Sequence, residues 1–174
     1  MSGIIGVSPD MRSGVVGAWP AGHIIQVVHG TPSTTNYSST LQADTTCSNW
    51  TATINKRISG SSILASWHCS YQTYQGNSTV TANLHIFFNR TAPSSVTNIN
   101  EQFALIRDEG GDTYHNCYSG HSGSFEDTSS ATGNHTYVAH IKGGDPVGGG
   151  GDSTPSGSIT TEGEATLVLM EVVT

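Results

Sequence analysis

The chain has 174 residues, 11% charged and 34% hydrophobic, and a formal net charge of −7 from six Lys plus Arg against 13 Asp plus Glu. That length makes one domain, with or without a short arm, and a charge content far below the ordinary ~25% excludes a coiled coil or long-helix protein. The shortage of cations excludes a phosphate-neutralising face for nucleic acid and a polybasic patch for an anionic membrane, and no run of 18 apolar residues exists to insert into a bilayer.

Residues 1–21 read as an extended arm. SGIIG at 2–6 recurs as SGVVG at 13–17, and Pro9 and Pro20 interrupt both helix and strand. Such a segment cannot bury its own apolar side chains. Ile4, Ile5, Val15, Val16 and Trp19 are therefore expected to dock on a partner or a neighbouring subunit. The opening residues show no basic stretch followed by an apolar one, and no signal peptide is expected.

From residue 22 the hydrophobic period changes to two. Residues 23–29 form the first expected strand, with weaker ones at 39–43 and 158–161 and further ones at 51–57, 102–107 and 135–142. The clearest alternation places Ile63, Ala65, Trp67, Cys69 and Tyr71 on one face and Leu64, Ser66, His68 and Ser70 on the other. Residues 80–88 repeat it, and Gly76-Asn77 between the two runs reads as a hairpin connection. Residues 165–173 are apolar on both faces, which suits a central strand or one whose outer face meets another subunit. Residues 108–134 and 143–157 read as long loops. Seven to nine strands joined by Ser, Thr, Gly and Asn predict an all-β, antiparallel jelly-roll sandwich over 22–174. Ser and Thr supply 45 residues, a quarter of the chain, so the loops are hydroxyl-rich rather than charged.

Few motifs carry chemistry. Gly120-His121-Ser122-Gly123-Ser124 puts Ser124 where a nucleophile elbow needs glycine. His115, Cys117 and His121 are ligand-type residues within seven positions, but no fourth ligand has a recognisable spacing, so no metal and no cofactor are expected. Asp108, Glu109, Asp112, Glu126 and Asp127 read as solvated loop charge, and the five N-x-[ST] triplets as chance in a Ser/Thr-rich chain. Cys47, Cys69 and Cys117 are an odd set without C-x-x-C spacing; they read as packed thiols, with a single bridge such as Cys69–Cys117 left open. Tyr114 and Tyr118 beside His115 and His121 pair aromatic rings with polar groups, the combination that holds a sugar. These four are the candidate receptor-binding residues, and no catalytic residue is expected.

Residues 22–28 (GHIIQVV), 51–54, 61–71 (SSILASWHCSY) and 165–172 (ATLVLMEV) resemble a domain of tailed bacteriophages, many of them marine, that commonly ends tail-fibre or other virion-surface proteins. The resemblance covers roughly residues 13–173, with 72–135 unmatched. The family's fold is similar to the trimeric jelly rolls of the tumour-necrosis-factor and complement type. The resemblance implies a non-enzymatic virion protein, assembled in the host cytoplasm and exposed on the particle. In the form expected here it is a short homotrimeric tail fibre whose arm docks on other virion proteins and whose loops touch a host surface glycan. The alternative is a capsid decoration protein or head fibre without a receptor role.

Overall fold

The computed structural model describes residues 21–39, 44–75, 82–106, 115–144, 159–161 and 164–174. Ten strands run in chain order: β1 (Ile24–His29), β2 (Ser38–Ser39), β3 (Asp44–Lys56), β4 (Ser61–Gln75), β5 (Ala82–Ala92), β6 (Val96–Ile106), β7 (His115–Asp127), β8 (Gly133–Gly144), β9 (Ile159–Thr161) and β10 (Thr166–Val173). They form two antiparallel sheets. One has the order β1-β10-β4-β7, with β9 beside β10 along the same edge of β4 and β2 beyond it. The other has the order β3-β8-β5-β6. Without the two short strands, the chain crosses between sheets at every step except the β5–β6 hairpin and the pairing of first strand with last, which is the wrapping of a jelly roll. The all-β jelly-roll sandwich expected from the pattern is the fold.

Alternation makes these strands. Along β4, Ile63, Ala65, Trp67, Cys69 and Tyr71 are buried while Leu64, Ser66 and His68 are exposed. The facing sheet contributes Trp50, Ala52, Ile54, Ile86, Phe88, Tyr137, Ala139 and Ile141. An aromatic column fills the centre. Trp50 meets Phe88 edge-on at 5.5 Å and Trp67 at 6.0 Å, and Phe125 joins Phe88 at 5.2 Å to Tyr137 at 5.5 Å. Contacts of this kind add about 0.5–1.5 kcal/mol each beyond burial. Trp50 Nε1 donates to the Thr166 carbonyl at 3.1 Å, so the largest core side chain also ties the sheets together. The backbone is crowded where β1 ends: a Cβ at Gly30 would lie 2.9 Å from the Thr51 carbonyl oxygen and 3.0 Å from that of Leu167. Only glycine lets the chain leave the sandwich there.

β10 lies between β1 and β4, as its two-sided apolar pattern predicts. Two other expectations are corrected. Residues 63–71 and 80–88 do not form a hairpin, because β4 and β5 belong to different sheets and the connection between them crosses the sandwich. Alternation reports which face is buried and says nothing about which strand lies alongside. Residues 108–134 are not one long loop either, since His115–Asp127 pairs with β4 over its whole length. This strand escapes the periodicity because much of it is Ser and Gly. Its small residues make room for β4: Gly123 stands opposite Trp67, and a Cβ at Gly120 would lie 3.3 Å from His68 Nε2.

Candidate functional site

Strand directions give the molecule two unlike ends. At one end β3 turns into β4, β5 into β6 and β7 into β8 through connections of three to five residues. The chain also enters β1 and leaves β10 there: Gly22 N donates to Val173 O at 2.7 Å, and Thr174 Oγ1 to Gly60 O at 2.7 Å. At the other end lie the longer connections, from β1 to β3, β4 to β5, β6 to β7 and β8 to β10.

The entry end is closed by a buried charge network. Asp127 Oδ2 accepts from Arg90 Nη1 at 2.5 Å and from the Tyr137 hydroxyl at 2.7 Å, while Oδ1 accepts from Ser129 N at 2.9 Å. Arg90 also donates to the Ser94 carbonyl and hydroxyl at 3.1 and 3.2 Å. Lys56 Nζ donates to the carbonyls of Ser129 and, at 3.3 Å, of Ser59. Glu171, 0% exposed, accepts from Gln26 Nε2, Ser61 Oγ and the amides of Arg57 and Ile58 at 2.6–2.9 Å. It thereby joins β1, β4 and the β3–β4 turn to β10.

Burial pushes the Asp127 carboxyl up. The bonds from Tyr137, Ser129 and Arg90 more than offset this and hold it below the ordinary carboxylate value. Glu171 behaves alike: burial raises it, and the Ser61, Ile58, Gln26 and Arg57 donors bring it below its ordinary value. Depressed folded-state values mean that this stability is complete above the unfolded carboxylate values of 3.8 and 4.5 and is lost as pH falls through the folded ones. Urea midpoints are therefore expected to drop steeply below pH 4.5, and E171Q to weaken that part of the drop. An acid limb of equal steepness in E171Q would remove Glu171 from the account.

The outer face of the β1-β10-β4-β7 sheet carries three of the four large hydrophobic side chains exposed among the described residues. Register aligns Ile24 with Val172, and Val27 with Met170 and Leu64. Ile24, Val27 and Leu64 are 49%, 47% and 37% exposed, and Val168, Met170 and Val172 are half-buried. No Lys or Arg lies on this face among the described residues, and Glu126 stands at its β7 edge. Further along, the face turns polar, through Ser66, His68, Ser122 and Ser124. On the opposite sheet, His140 is held by Asp44 at 2.8 Å and Asn89 at 2.9 Å and stacks on Phe87 at 5.2 Å. That imidazole is a fastener between β3, β5 and β8.

Of the four expected receptor residues, His121 is the one whose side chain lies within the described residues. Tyr114 lies outside the described residues, as do the arm residues Ile4, Ile5, Val15, Val16 and Trp19. His115 and Tyr118 lie on β7, opposite Gln75 and Gln72. Position 121 stands opposite Cys69, with parity opposite to 118. The His121 ring lies 5.3 Å from Trp67 on the core side, with Nε2 buried and without a hydrogen-bond partner among the described residues. Burial lowers its pKa. Cys47 and Cys69 are buried free thiols pushed up to about 12, chiefly by burial, so neither is a thiolate at neutral pH. Among the described residues no His, Cys, Asp and Glu group is arranged to hold a metal.

The charge network escaped the sequence reading, yet a signal existed. Lys56 shares the core parity of Ala52 and Ile54, Arg90 that of Ile86 and Phe88, Asp127 that of Phe125, His135 that of Tyr137 and Ala139, and Glu171 that of Leu167 and Leu169. Four charged residues and a histidine at the entry-end tips of five core-facing rows mark a buried network.

The class defined by this architecture is an antiparallel jelly-roll sandwich. No protein-family model and no curated protein matches the chain. Among solved structures it is similar to a chain of the infectious bursal disease virus Gt strain, with TM-score 0.38 and 16% identity over 99% of this chain and 43% of that one. It is also similar to a chain of the Gx strain, at 0.35 and 19% over 99% and 42%, and to the VP2 subviral particle of the same virus, at 0.38 and 17% over 99% and 42%. The chain thus spans less than half the length of these structures' chains.

Proposed function

We propose that this chain is a virion structural protein, in the form of a short trimeric tail fibre. In this reading the entry end and the preceding arm dock on the particle, and the long connections at the opposite end meet a host surface glycan. The observation that carries the reading is the division of the molecule into two unlike ends. A fibre needs one end stiffened for attachment and the other free to vary, and the network of Arg90, Asp127, Lys56 and Glu171 stiffens the end at which β1 begins. The apolar outer face of β1, β10 and β4 is the contact between three copies. The resemblance of the β1, β4 and β10 segments to phage virion-surface domains supports the same assignment, and binding at three weak sites would supply avidity.

Immunogold labelling of intact particles tests it, with antibody raised against the chain. Gold at the tail is expected. Gold distributed over the head would replace the fibre by a capsid decoration protein, and particles without label would end the virion assignment.

A further inference from the structure

The connection from β7 to β8 is tied to the body by polar contacts, one of them made by a buried imidazole. Ser129 N donates to Asp127, Ser129 O accepts from Lys56, and Ala131 N donates to Ser129 Oγ at 3.4 Å. His135, 0% exposed at the start of β8, reaches back to the Ala131 carbonyl through Nε2 at 3.0 Å. A carbonyl only accepts, so Nε2 carries the ring proton. The bare nitrogen, Nδ1, is buried and has no hydrogen-bond partner among the described residues.

The surroundings resist a second proton. β3 presents Lys56, β5 presents Arg90, β7 presents Asp127 and β8 itself presents Tyr137; Glu171 of β10 acts on Lys56. Two cations and the two carboxylates that balance them leave no net negative charge to receive an imidazolium. Nδ1 also has no acceptor to which it could donate. Burial accordingly lowers the His135 pKa, with the Ala131 bond and Asp127 working against that and Arg90 and Lys56 with it. The ring takes its second proton only by turning out to water, and turning out breaks the bond to Ala131.

We propose that His135 is an acid-released latch on the β7–β8 connection: mild acidification frees residues 128–132 while the sandwich stays folded. Since the closed state disfavours the proton, the latch is secure above pH 6.5, the ordinary histidine value, and loosens as pH falls below it. The Asp127 and Glu171 carboxylates titrate lower, so the window from pH 5 to 7 separates the imidazole from them.

Native-state hydrogen exchange tests this, with rates corrected for intrinsic exchange. Opening at Ser129 and Ala131 is expected to rise by close to tenfold per pH unit below 6.5 until the folded-state value is reached, as one coupled proton requires. Ala139 and Ile141 in the same strand keep their protection. H135Q, which cannot take up the proton, gives a flat profile. An equal slope in H135Q overturns the latch, and so does loss of protection at Ala139 and Ile141 in step with the connection. Should H135Q not fold, an NMR titration of the ring in the unaltered chain decides. A ring protonated at Nε2 that titrates below 6.5 supports the proposal, and one titrating at or above 6.5 overturns it.

Discussion

Replacing Asp127 by Ala is expected to cost about 3–5 kcal/mol, the range for removing one partner of a buried ion pair. The loss leaves the Arg90 guanidinium buried with, among the described residues, only the Ser94 contacts, and the Tyr137 hydroxyl without its acceptor in the core. It also unties Ser129 N and with it the connection that Lys56 holds. Several kcal/mol is a large share of the 5–15 kcal/mol typical of a domain. The urea midpoint of D127A should fall accordingly, with the slope unchanged if the sandwich still unfolds in one step. A combined D127L/R90M variant, which removes both charges and leaves apolar side chains, should recover much of the loss. If D127A unfolds within 1 kcal/mol of the parent, the network is not holding the entry end.

Placing Glu on the outer sheet face is expected to abolish self-association and leave the fold intact. Leu64 and Met170 are cross-strand neighbours at the centre of that face, and neither belongs to the core cluster. A threefold contact would bring three copies of each new carboxylate together in a desolvated place, and like charges so juxtaposed cost several kcal/mol. That is a weakening on the order of a hundredfold or more, at about 1.4 kcal/mol per tenfold. Analytical ultracentrifugation of L64E/M170E should find 18.2 kDa particles, where the trimer of the proposed function requires three times that mass for the parent. Far-ultraviolet circular dichroism should be unchanged. A parent that is itself monomeric at micromolar concentration would remove the trimer from the proposed function.

What was legible in the sequence follows from where side-chain alternation is strong. Ile63 to Tyr71 and Leu167 to Leu169 announce their buried faces, and the sandwich class follows from many such runs without a helical period. Pairing was not legible, because the neighbour of β4 is chosen by how the whole chain wraps. β7 was hidden because a strand lying against Trp67 and His68 does best with small residues, and Ser and Gly read as loop. Of the candidate receptor residues, the cluster Tyr114, His115, Tyr118 and His121 was assembled as if on a loop. Strand parity separates position 118 from 121, and His121 goes to Trp67.

The place of β10 has a consequence for how the protein is made. Among the described strands, β1 pairs only with β10, and β10 also closes the gap between β1 and β4. A nascent chain therefore carries β1 and the Ser61–His68 half of β4 with open hydrogen-bonding edges until residues 166–173 leave the ribosome, and such edges are templates for wrong pairing. Closure of the sheet therefore waits on residues 166–173, and a chain that stops before Thr166 leaves the gap between β1 and β4 open.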